Sequence, residues 1–173
     1  MDLFVGNILN TCLPSNAWEF SNSDLGNLYN CTNYYFVRDR FCSPNSAIYL
    51  DNGYLQAPAD IYFAGDFSIT AWIYLKSYGT WSRIIDFGNG SPMDNVNFGF
   101  FGGNSQLFAE IYQGNSLSTS LVPTVNIQLY QWYEVAFVVH GSNGYVYING
   151  VLQATGIMNP PKNVLRTSNY IGK

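Results

Sequence analysis

Apolar and polar residues alternate with a period of two along much of the chain, the repeat of a strand with one buried face. In DFSITAWIYLK (66–76), Phe67, Ile69, Ala71, Ile73 and Leu75 share one side, and Ser68, Thr70, Trp72 and Tyr74 the other. The runs SRIIDF, VNFGFFGG, QLFAEIYQG and SLSTSLV follow, each bounded by Gly or Asn, and read as further short strands. QWYEVAFVVHGSNGYVYINGVLQATG (131–156) predicts an antiparallel meander of three strands, turned at 141–144 and again at Asn149-Gly150. Asn-Gly between alternating segments favours a tight hairpin, because both turn residues need positive φ. No stretch of helical periodicity is longer than about two turns.

The first sixty residues are less regular. LFVGNIL (3–9) is apolar, lacks Pro and fits a strand; NAWEF (16–20) reads as another. Residues 21–46 read as a long connection holding Cys31 and Cys42, and SAIYLDNGYLQAP (46–58) as a hairpin turned by Asn52-Gly53.

Composition narrows the class. At 173 residues the chain suits one domain. Aromatic residues make up 17% and charged residues only 10%, against about 25% charged in an ordinary soluble domain. That mixture suits pleated, half-buried surfaces and an all-β fold. The net charge of -4 comes with no basic cluster, which excludes nucleic acid as a partner. No apolar run approaches the roughly 18 residues of a spanning helix, so no membrane insertion is expected. Residues 1–13 lack the basic and cleavage features of a signal peptide, as a mature or excised segment of a secreted protein would. The sequons at Asn30 and Asn89 mark two possible glycosylation sites.

The ordered series DRFCSPNSAIYLDNGYLQAP, GDFSITAWIYLKSYGTWSRIIDFGNG, QWYEVAFVV, GYVYINGVLQATG and SNYIGK resembles the laminin-G-like members of the concanavalin A-like lectin/glucanase superfamily. The resemblance runs from about Asn16 to Lys173 and implies an all-β jelly-roll sandwich of two curved antiparallel sheets. It divides the chain into an N-terminal strand or extension (1–15) and a jelly-roll domain (16–173). Members of the family are mostly extracellular modules that bind glycans or proteins. The expected function is therefore a secreted, non-catalytic module that recognises glycans or mediates adhesion. The alternative is a structural subunit of an extracellular filament, and a glycosidase-like enzyme comes third. Family domains usually continue past the YIGK position with a further strand. Without it an edge stays open, which residues 3–9 would cover on their own sheet or on a neighbour's, so self-association through residues 1–12 is expected. The family usually has Gly where Cys42 stands. This suggests a Cys31–Cys42 disulfide, with Cys12 free or paired elsewhere.

Chemistry-bearing residues are few. Asp86 closes a strand before a Gly-rich turn, where its side chain caps nearby N–H groups or joins Asp94, Asn95 and Asn97 as oxygen ligands of Ca²⁺. Glycoside hydrolysis needs two carboxylates across the bond. Glu19, Glu110 and Glu134 lie on different segments and form no array, so no catalytic residue is expected. His140, the one His, has no nucleophile motif beside it. Sugar binding needs aromatic platforms with amides nearby. Tyr78 and Trp81 beside Asn89, and Tyr112, Gln113 and Asn115, offer them.

Overall fold

The computed structural model describes the backbone of residues 2–10 and 17–18 and the whole of residues 25–173. The described strands are β1 (Asp2–Asn10), β2 (Ala17–Trp18), β3 (Tyr29–Val37), β4 (Ala47–Ala57), β5 (Phe67–Leu75), β6 (Arg83–Gly88), β7 (Val96–Phe100), β8 (Leu107–Gln113), β9 (Ser116–Leu121), β10 (Trp132–His140), β11 (Asn143–Ile148), β12 (Val151–Ile157) and β13 (Ser168–Ile171). All pairings are antiparallel, in the order β12-β11-β10-β5-β1-β4-β13-β6-β7-β8-β9, with β2 beside β1 and β3 beside β4. The alternation in β5 is borne out: every second residue from Phe67 to Leu75 is buried.

This ladder folds into the two layers of a jelly-roll sandwich, and β4 makes the fold. Its first half pairs with β1, its second half with β13. Between them Asn52 has a φ of 49°, and a side chain at Gly53 would strike the Thr32 carbonyl of β3. The expected 46–58 hairpin is thus one long, sharply bent strand. The positive φ that Asn-Gly offers is spent on a kink, and β3 stays paired to both halves, shifting register twice. β3 itself lies within the stretch that reads as connection. Its burial pattern has no period of two, and it pairs with β4 alone among the described strands. A strand half in solvent gives little hydrophobic signal.

β1 lies between β4 and β5 of its own chain. Of the two ways for residues 3–9 to cover an edge, the strand takes the one in cis; Cys12 lies outside the described residues. The expected Cys31–Cys42 disulfide does not form, and both thiols are free. Cys31 sits inside β3, which runs on to Val37 before the turn that holds Cys42. A strand rises about 3.3 Å per residue, so this stretch separates the two by on the order of 20 Å, far beyond the roughly 7 Å limit for a disulfide.

The core fills the space between the layers. Phe137 of β10 meets Phe98 of β7 at 5.9 Å and Phe67 of β5 at 5.2 Å between ring centroids. At one margin the Thr119 hydroxyl of β9 donates to the Ile157 carbonyl of β12 at 2.8 Å, tying the two layers together.

Candidate functional site

In β6–β9 the residues Ile85, Phe87, Val96, Phe98, Ala109 and Ile111 belong to the core. Strand alternation therefore turns Asp86, Asn97, Glu110 and Tyr112 to the opposite face. Registers align these side chains across strands. Tyr29 of β3 faces Gln56 of β4, which faces Tyr170 of β13, which faces Asp86 of β6. Asp86 faces Asn97, Asn97 faces Glu110, and Glu110 faces Ser120 of β9. One row of polar and aromatic residues thus crosses seven strands.

Two glycines let neighbouring side chains lie flat beside this row. Gly99 sits between Arg83 and Phe108 in register, and a Cβ there would press on Arg83 Cδ at 3.2 Å. The Arg83 side chain crosses β7 at this gap and stacks on Phe108, 4.9 Å from the ring centroid, and on Trp81 at 5.5 Å. At Gly88 a Cβ would collide with the Asn95 side chain. In that space Asn95 Nδ2 donates to Asp86 Oδ1 at 2.6 Å.

The site's electrostatics follow from burial. Glu110 is 8% exposed. Desolvation pushes its carboxyl above the usual range, while Ser120 and the Arg83 guanidinium favour its charged form and only partly offset this. Burial also lowers the Arg83 guanidinium, against the pull of Asp86 and Glu110. Tyr112 is raised by burial and by the charge of Glu110. Arg83 Nε, Asn95 Oδ1 and Asn97 Oδ1 are buried with no hydrogen-bond partner. Ser120 Oγ and Asn169 Oδ1 share that condition among the described residues, whereas most buried polar atoms in proteins are paired.

Of the residues expected to bind sugar, this face holds Trp81 and Tyr112. Trp81 stands at the margin, half exposed, 5.5 Å from Phe101. The Tyr78 hydroxyl is used up on the Ile127 carbonyl and the Gln113 amide on the Pro160 carbonyl. Asn89 ties the Leu165 carbonyl to Thr167, and Asn115 is exposed in the β8–β9 turn. The Asn30 sequon is exposed on β3, its amide donating to Gln56. The four residues expected to hold Ca²⁺ divide between tasks. Asp94 Oδ1 accepts from the Gly114 N–H and faces Lys162 Nζ at 3.8 Å. Asp86 takes Asn95, and Asn97 lies in the cross-strand row. Among the described residues, no three His, Cys, Asp or Glu gather as a metal site.

A family model described as the concanavalin A-like lectin/glucanases superfamily matches residues 50–173. The chain belongs to that superfamily. No curated protein matches it. Among solved structures, it is similar to domain 4 of AbnA, a GH43 extracellular arabinanase from Geobacillus stearothermophilus, in complex with arabinotriose. The identity is 19% and the TM-score 0.59, covering 98% of this chain and 93% of that one. It is also similar to a Bacillus licheniformis beta-glucanase, at 16% identity and TM-score 0.49, covering 96% and 79%. An alginate lyase from a Corynebacterium species follows at 17% and 0.40, covering 98% and 82%. Likeness at these identities establishes the fold.

The expectation of a non-catalytic binding or adhesion module is corrected here. The solved structure similar at TM-score 0.59 is a domain of an arabinanase, so this fold gives no ground for excluding catalysis. Two carboxylates from separate segments also share one row, in which Asp86 and Glu110 flank Asn97. Sequence reading set Glu110 aside as part of no array, and did not reach Arg83, Gln56 and Tyr170. Phe108, Glu110 and Tyr112 at alternate positions of QLFAEIYQG were the available signal.

Proposed function

We propose that this superfamily member is a glycan-cleaving enzyme that lays a sugar chain along the seven-strand row and cuts it between Asp86 and Glu110. The carrying observation is that these two carboxylates share a face with one strand between them, and that Glu110 is raised by burial. A raised pKa suits a general acid. Protonated Glu110 gives its proton to the leaving glycosidic oxygen. Asp86 takes a proton from the water that attacks the anomeric carbon from the other side, as the old C–O bond breaks and the new one forms. Two strand spacings part the backbones by about 10 Å. That suits the wider carboxyl separation of inverting glycosidases, about 6.5–9.5 Å, over the about 5–5.5 Å of retaining ones. Trp81, Tyr112 and Tyr170, each at least partly exposed, supply ring faces for sugars. The reading places the protein outside the cell, where polysaccharides are met.

The test is NMR of the newly formed reducing end during digestion of arabinan, β-glucan and other polysaccharides. Inverted anomeric configuration is expected. Retention, or no cleavage of any of them, would overturn the assignment.

A further inference from the structure

Beside the β4–β13 part of the row lies a cleft of about 250 Å³ lined by Asn52, Tyr54, Thr80, Ser82 and Lys173. Tyr54 and Tyr170 meet edge to face at 5.3 Å. The Lys173 ammonium lies over them, 3.6 Å from the Tyr170 centroid and 5.8 Å from that of Tyr54. Neither Lys173 nor Arg83 has a carboxylate at ion-pair distance among the described residues. The two are also neighbours: the Arg83 N–H donates to the Lys173 carbonyl at 2.7 Å. In a chain of net charge -4, the Lys173 ammonium, with no ion pair among the described residues, thus stands on an aromatic pair next in register to Asp86 through Tyr170.

We infer that this corner is a subsite for an anionic sugar, a uronate whose ring lies against Tyr54 and Tyr170 and whose carboxylate pairs with Lys173. The inference rests on the reading of the row as a glycan-cleaving site and names the substrate class as acidic polysaccharide. The carboxylate supplies a charge partner that no described residue gives Lys173. The hydroxyls and amide of Thr80, Ser82 and Asn52 meet the sugar's own hydroxyls. The corner lies one strand from Asp86, so a uronate held there leaves the next sugar positions over Asp86 and Glu110.

Binding of oligogalacturonate and oligoglucuronate, each against its carboxyl-reduced counterpart, tests the subsite by calorimetry on the intact chain. The acidic forms should bind about fivefold tighter at low ionic strength, the advantage fading as salt screens a partly exposed pair. Lys173→Met should abolish that advantage, so that acidic and reduced forms bind alike. Lys173→Arg should keep it. Equal affinity for acidic and reduced forms, or a preference that survives Lys173→Met, would overturn the inference. Because binding is read without turnover, the two readings separate. Cleavage of neutral glycans with no acidic preference sinks the subsite alone. An acidic preference lost in Lys173→Met but with no cleavage sinks the enzymatic reading alone.

Discussion

Arg166 is fully buried, and replacing it with Met measures what holds the loop beneath the site. Its Nε donates to the Asp94 carbonyl at 2.9 Å, Nη2 to the Lys162 carbonyl at 3.2 Å, and Nη1 to the Val164 carbonyl at 3.4 Å. Its guanidinium also lies 5.5 Å from the Phe63 ring centroid. Burial lowers its pKa, opposed by Asp94. Hydrogen bonds from a charged donor contribute about 1.5–3 kcal/mol each. The two shorter bonds then account for about 3–6 kcal/mol, and the longest adds little. Met fills similar volume but leaves the carbonyls unpaired. Relief from burying a charge offsets part of the loss, leaving a net cost of about 3 kcal/mol, or a fall of about 6–12 °C in Tm for a chain of this size. Urea and thermal unfolding by circular dichroism give the number. Arg166→Lys should lose nearly as much, since an ammonium cannot serve the fork of carbonyls. The Asp94 carbonyl adjoins Asn95, which holds Asp86, so cleavage should fall as well. An Arg166→Met protein within about 1 kcal/mol of the parent would refute the reasoning, because unpaired buried carbonyls could not be so cheap.

Further outcomes follow from the same geometry. Burial raises Glu110, so the folded state holds that proton more tightly than the unfolded chain, and stability falls as pH rises above the unfolded value of about 4.3. Glu110→Gln should therefore raise Tm at pH 7 and leave it unchanged near pH 3; a drop at pH 7 would show that the charge is well solvated. Gly99→Val should cost about 1–3 kcal/mol by overpacking and abolish cleavage, since its side chain meets the Ser82 carbonyl and the path of Arg83; an active, stable variant would speak against that packing. Titration with a thiol reagent under non-reducing denaturing conditions should find Cys31 and Cys42 both reactive, whereas a cross-linked peptide on mass mapping would contradict the free thiols. Millimolar Ca²⁺ and EDTA should give the same melting curve, because Asp94 Oδ1 already accepts from the Gly114 N–H and faces Lys162; a Ca²⁺-dependent rise in Tm would show that the expected metal binds.

Much of the fold is legible in local pattern. The alternation of 66–76 and the Asn149-Gly150 turn each specify their strand or hairpin without help from distant residues. Asn52-Gly53 carries the same dipeptide but sits where β3 spans both halves of β4, so tertiary pairing decides between turn and kink. The site is harder to read for a related reason. Alternation shows that Glu110 and Asp86 leave the core, but only cross-strand register shows that they lie in one row, and register depends on turn lengths and bulges such as that between Arg83 and Ile85. Arg83 is concealed further: its reach to Phe108 depends on the missing side chain of Gly99, on another strand.

Reducing-end release by the parent, Asp86→Asn and Glu110→Gln, on whichever polysaccharide the parent cleaves, tests most directly whether this row is an active site. General acid–base groups contribute about 10²–10⁴ in rate. Each variant should lose activity on that scale while still binding the glycan and melting no lower than the parent. Cleavage at the parental rate by either variant would contradict the assignment of Asp86 and Glu110 as the catalytic pair.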